Sequence, residues 1–149
     1  MTTFQFRLQR ALDWRRAQLA LAEARVEQQV AALAAIDQAR AELDAMGQRT
    51  EVEVRQFAQL DGGHLGALGT FRLAIRARTR DLAGKRTECQ KELAARQSAV
   101  LEARRRCRLL ERLKERRWAE WHAAAERELD ELAADCYLAQ WARRRALSI

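Results

Sequence analysis

Apolar residues over the first sixty positions recur with a seven-residue period. One series runs Leu8, Arg15, Ala22, Gln29, Ile36, Leu43, Thr50 and Phe57. A second, displaced by four, runs Leu12, Leu19, Val26, Leu33, Arg40, Gly47 and Val54. Most members are apolar, and the offset is that of the a and d positions of a coiled-coil seam, so the pattern predicts a helical arm over 4–60. Arg15, Gln29, Arg40 and Thr50 interrupt the seam. Polar residues at such positions lower stability while helping to fix register. Gly47 weakens a helix by roughly 1 kcal/mol relative to alanine, so a local bend would fall there.

A second arm is predicted over 67–145. Its apolar positions are Phe71, Ile75, Leu82, Cys89, Leu93, Val100, Cys107, Leu110 and Leu113, then Trp118, Trp121, Ala125, Leu129, Leu132, Cys136 and Ala139. The phase slips between Leu113 and Trp121, as at a stutter in a heptad repeat. Between the arms lies Asp61-Gly62-Gly63-His64-Leu65-Gly66. The chain has no proline, and four of its six glycines fall between Gly62 and Gly69. Gly-Gly supplies the positive φ values that end a helix and permit a tight reversal, which predicts a turn over 61–66.

The expected fold is all-α: a long antiparallel two-helix coiled-coil hairpin forming a single domain over 1–149. At 1.5 Å per residue the arms would measure ~85 Å and ~120 Å. Reversal about the glycines places residue i opposite position 126 minus i. Phe4 then meets His122, and everything beyond Ala123 overhangs.

Composition supports a seam rather than a globular core, because 33% of the residues are charged and only 6% are aromatic. A hairpin buries a narrow stripe and leaves most side chains in water. No segment approaches 18 uncharged apolar residues and the first residues carry no apolar run, so the chain is expected to be cytoplasmic. Cys89 and Cys107 would lie roughly 27 Å apart on one helix, too far for a shared metal or a disulfide. The cysteines are therefore read as small apolar seam residues.

Charge is unevenly distributed. From Phe4 to Leu60 there are eight arginines and eight acids, so the net charge of +7 belongs to the segment from Asp61 onward. There Arg104, Arg105, Arg106, Arg108, Arg112, Lys114, Arg116 and Arg117 are opposed by only Glu111 and Glu115. Their expected neighbours across the hairpin include Arg10, Arg15 and Arg16. A positive belt and an acidic partner are the inference, set against a plainly solvated helix face with i,i+4 ion pairs. An acidic block follows, Glu120, Glu126, Glu128, Asp130, Glu131 and Asp135, before Arg143-Arg144-Arg145.

No catalytic constellation is legible, and neither enzymatic activity nor a cofactor is expected. The glycine-rich turn lacks the Lys-Ser/Thr of a phosphate loop. His64 and His122 have no cysteine or second histidine at metal-ligand spacing and read as surface or boundary residues. Trp118 and Trp121 are expected to cluster with Phe4, Phe6 and Leu8. Tyr137 and Trp141, on the overhang without an intramolecular mate, are candidates for contact with a partner.

Two stretches carry a resemblance. Phe4-Gln5-Phe6-Arg7-Leu8-Gln9-Arg10-Ala11-Leu12 is similar to the amino-terminal F-x-F-R-L-x-x-V-L pattern of the FliJ family of flagellar type III export proteins, with Ala11 at the branched position. Leu110-Glu111-Arg112-Leu113-Lys114-Glu115-Arg116-Arg117, followed by Glu120-Trp121 and Glu128-Leu129-Asp130-Glu131-Leu132-Ala133, resembles that family's L-E-x-L-K-E-(K/R)-R…E-Y…L-D-E-x-A run. Trp121 stands where tyrosine is common, and the Gln-Lys pair often found before L-D-E is missing. The resemblance implies a coiled-coil stalk that engages the hexameric export ATPase FliI, and it links the chain to the export gate protein FlhA and to export chaperones at the inner-membrane apparatus. It would give ATPase contact to Arg7, Arg10, Arg105, Arg108, Arg112, Lys114, Arg116, Arg117, Trp121, Leu129 and Leu132, and gate contact to Leu68, Phe71 and Ile75.

Two alternatives have the same periodicity. One is the corresponding stalk of a non-flagellar type III secretion system. The other is a basic coiled-coil nucleic-acid binder. Against the latter, no aromatics interleave with the arginines and the adjacent acidic block would repel phosphate.

Overall fold

The computed structural model describes residues 3–57, 59 and 61–146, with Ala146 described by its backbone alone. Leu60, the expected end of the first arm, lies outside the described residues, as do positions 1–2 and 147–149 of the expected domain. Among the described residues all regular structure is helical: α1 (Gln9–Arg55) and α2 (Gly62–Ala146) pack against each other as a two-helix hairpin. None of it is long and apolar enough to cross a membrane. The chain falls into two compact units. The first is Leu19–Glu102, and the second joins the residues up to Gln18 with those from Ala103 onward.

In the Leu19–Glu102 unit the predicted seam is the buried stripe. Leu19, Ala22, Val26, Leu33, Ile36, Leu43, Thr50 and Val54 are half-buried and Gln29 is buried, whereas Arg40 is exposed. On α2 the matching stripe runs through Leu68, Phe71, Ile75, Leu82, Cys89, Leu93 and Val100, with Cys89 and Val100 buried. Gln29, read as an interruption, is the polar centre of this unit. Its amide nitrogen donates to the Cys89 carbonyl at 3.2 Å, to Cys89 Sγ at 3.1 Å and to Glu92 Oε2 at 3.0 Å. The Cys89 thiol points back at the Gln29 carbonyl at 3.8 Å. A buried amide satisfied only by these partners favours one alignment of the helices over its neighbours. Arg86–Asp37 at 2.7 Å, Arg72–Glu51 at 3.0 Å and Arg96 Nη1 on the Arg25 carbonyl at 3.1 Å flank the same seam.

These pairs correct the expected register, which set Asp37 opposite position 89 and Glu51 opposite position 75. The cause lies in the turn. α1 stops at Arg55 and α2 already begins at Gly62, so 62–66, expected to be turn, are helical. Gly62 and Gly63 do not end a helix; they begin one, and no described glycine has positive φ. Asp61 is the N-cap. Its Oδ1 accepts from the His64 backbone N–H at 2.8 Å, while its carbonyl accepts the first helical bond from Leu65 at 3.2 Å. His64, expected to be an ordinary surface residue, also reaches Asp61 through Nδ1 and sets its ring edge-on to Phe57, centroids 5.7 Å apart. Gly63 leaves room for the cap, since a Cβ there would stand 3.3 Å from Asp61 Oδ1. At the far end Arg143, Arg144 and Arg145 occupy the last turn of α2, where positive charge complements the helix dipole.

Two outcomes follow. Donation from the His64 backbone, and then from its side chain, holds the Asp61 carboxyl below its ordinary value. A depressed folded value contributes stability that is complete above the ordinary carboxylate range and is lost as pH falls through the lowered value. At neutral pH Asp61→Ala should melt below wild type and Asp61→Asn, an equally good cap, close to it; the gap to Asp61→Ala should close on acidification for wild type and persist for Asp61→Asn. Gly47 lies inside unbroken α1, and a Cβ there would meet Ile75 Cγ2 at 4.0 Å, an ordinary contact. Gly47→Ala should therefore raise stability by about 1 kcal/mol in urea unfolding.

Candidate protein interface around Trp121

The unit formed by the two chain ends holds the remaining seam. Leu12 is fully buried and Cys107 nearly so, with Arg15, Leu110, Leu113, Lys114 and Trp121 half-buried around them. Buried and half-buried positions on α2 continue at Cys107, Lys114 and Trp121 at steps of seven. A lysine fills the middle position there, and the expected slip falls instead after Trp121, where Ala125 and Leu129 follow at two successive steps of four. The aliphatic stem of Lys114 lies in the seam and its Nζ donates to Gln9 Oε1 at 2.9 Å.

Ahead of α1, residues 3–8 run against α2. The Phe4 and Trp121 rings lie 5.9 Å apart at 50°, so Phe4 meets Trp121 where the expected register gave His122. Phe4, Phe6, Leu8, Leu113, Arg117 and Trp121 line a groove of about 1270 Å³. Trp118 pairs instead with His122, centroids 5.0 Å apart, and stays half-exposed beside an apolar notch lined by Phe4, Lys114 and Ala119.

The basic residues separate into two groups. Arg16 donates through Nε and Nη2 to Glu111 Oε1 at 3.2 and 2.9 Å, a hydrogen bond that raises its pKa above the ordinary value. Arg117 pairs with Glu120 at 2.9 Å. The belt expected around the hairpin therefore narrows. Arg105, Arg108, Arg112 and Arg116 are all exposed and have no ion-pair partner among the described residues. Steps of three, four and four place them on one face of α2, about 16 Å from first to last. Cys107, Leu110 and Lys114 occupy the opposite face. The row thus points away from α1, with the exposed Leu109 beside it. Arg7 and Arg10 are exposed on the other strand of this unit.

Beyond Ala125 every residue with a described side chain is exposed. The seam positions nevertheless continue through Leu129, Leu132, Cys136 and Ala139. Cys136, expected to be a seam residue, is therefore solvent-facing and free. Trp141 is exposed but not without a mate, since the Arg145 guanidinium stands 5.0 Å over its ring.

No protein-family model, curated protein or solved structure matches this chain.

The residues given to gate contact lie in the other unit and differ in kind. Leu68, Phe71 and Ile75 are half-buried and face the seam, with Phe71 and Ile75 beside Gly47 and Glu51 in a small cleft. The more exposed apolar side chains in that stretch are Leu65 and Leu73, which the heptad reading passed over. Their signal in the sequence was apolar character at positions outside the second arm's seam, and the same holds for Leu109. Among the described residues no group of three His, Cys, Asp or Glu side chains lies close enough to hold a metal ion.

Proposed function

We propose that this chain is a coiled-coil stalk of the flagellar type III protein-export apparatus, which binds the hexameric export ATPase through the unit around Trp121. By the same reading it couples that ATPase to the export gate and to export chaperones. The observation that carries the proposal is the pairing of two surfaces on one segment of α2: a row of four arginines without ion pairs among the described residues, followed by an exposed continuation of the seam at Leu129 and Leu132. A long-range positive surface speeds encounter with an acidic partner, and an adjacent apolar stripe supplies the area that holds it. Support also comes from Phe4 and Trp121. They belong to the two stretches that resemble the FliJ family, lie at opposite ends of the sequence, and are in ring contact.

Within this reading Arg105, Arg108, Arg112 and Arg116 steer the encounter, with Arg7 and Arg10 adding to the field. Lys114 and Trp121 are committed largely to the fold and act by holding the amino-terminal segment in place. Leu129 and Leu132 provide the apolar anchor. The gate contact falls to the other unit, at the exposed edges of Leu68, Phe71 and Ile75 together with Leu73.

Charge reversal tests the proposal. Arg105, Arg108, Arg112 and Arg116 changed together to Glu should leave helicity unchanged and weaken binding to the export ATPase at least about tenfold, with the wild-type affinity falling as salt is raised. Reversals that leave ATPase association intact while abolishing tight duplex-DNA binding would replace this reading with the nucleic-acid one.

A further inference from the structure

We propose that the end of α2, from Ala125 to Arg145, pairs antiparallel with the same segment of a second copy of this chain. The inference does not depend on the function proposed above. It begins from the alternating steps of four and three that link Ala125, Leu129, Leu132, Cys136, Ala139 and Arg143. This is the a/d spacing of a coiled coil, sustained over three heptads, on a stretch of helix that α1 does not cover. Leu129 is 49% exposed and Leu132 60%.

The pattern is self-complementary when one copy is reversed. Leu132 then packs against Cys136 of the second copy, Leu129 against Ala139, and Ala125 against Arg143, and every layer recurs about a single two-fold axis. Charge selects this direction over the parallel one. Residues 126–135 carry Glu126, Glu128, Asp130, Glu131 and Asp135 against one arginine, while residues 136–145 carry three arginines and no acid. Antiparallel pairing sets the negative half of each copy against the positive half of the other, so that Arg143 enters beside Glu126 and Glu128. Parallel pairing sets like against like throughout. One juxtaposition is unfavourable: Asp135 meets its own copy close to the axis, so its neutralisation should tighten the pair.

The second copy would cover Leu129 and Leu132, the residues assigned above to the ATPase. Self-pairing and ATPase binding would then exclude each other, and the chain would be held in a capped form until a ring displaces its twin.

Sedimentation equilibrium of the full chain, without any partner, tests the pairing. The mass should rise to twice that of the chain with concentration. Leu132→Glu, at an exposed position, should return it to a monomer of unchanged helicity, and Asp135→Asn should shift the midpoint to lower concentration. Mild oxidation reads the direction. Leu132→Cys should cross-link into dimers through Cys136 and lose that cross-link when Cys136→Ser is added, whereas the wild-type chain should not cross-link. A monomer at every concentration, a dimer indifferent to Leu132→Glu, a Leu132→Cys chain that fails to cross-link, or wild-type cross-linking through Cys136 would each overturn the proposal.

Discussion

A pair of helices has one seam and no second layer, and this geometry governs how the sequence is spent. Among the described residues only Leu12, Cys89, Val100 and Cys107 are buried apolar side chains, and the remaining seam residues are half in water. Stability has to accumulate along the stripe in small increments, so alignment of the two stripes matters more than any single contact. The polar centre at Gln29 and Cys89 suits this requirement. A half-buried leucine contributes nearly as well after a slip of one heptad. A buried amide aimed at Cys89 and Glu92 does not, because the slip takes away both of its side-chain acceptors, Cys89 Sγ and Glu92 Oε2. The flanking ion pairs are exposed and contribute little to stability, but they agree with that alignment.

The seam itself was legible in the sequence because burial in a coiled coil follows a period. Nearly every position of both seven-residue series in α1 is buried or half-buried, polar members included. Three features were not legible, each for a local reason. The glycine pair signals a break in helix propensity, but an acidic residue directly before it can turn that break into a helix start, as Asp61 does. That change moved the reversal toward the amino terminus and the register with it. Lys114 was passed over as a seam residue because a residue-type pattern scores its charge and not its stem. The narrowing of the basic belt depended on cross-helix pairing of Arg16 with Glu111, which no linear count of charges can contain.

The same geometry explains why the surfaces of interest gather on one segment of α2. Once α1 and the amino-terminal residues have covered the seam as far as Trp121, the continuing helix carries its apolar positions into solvent. The face turned away from α1 is free to hold unpaired arginines. An apolar stripe and a basic row in succession are costly for an isolated chain, through exposed apolar area and like-charge repulsion, and both costs are relieved by an acidic or self-complementary partner. The proposed ATPase contact and the proposed self-pairing are two uses of that one property.

The seam of the Leu19–Glu102 unit depends on the alignment of its two helices, since sliding one along the other would replace every cross-helix partner. The alignment is tested most directly by placing a cysteine at Gln29 and oxidising the folded chain. Cys89 Sγ lies 3.8 Å from the Gln29 backbone carbonyl, so a thiol at position 29 stands beside it and Gln29→Cys should form an intramolecular disulfide with Cys89, identified by peptide mapping, while Cys107 and Cys136 stay reduced. A cross-link to Cys107, or oxidation that leaves Cys89 free in the folded protein, would contradict the alignment and the account built on it.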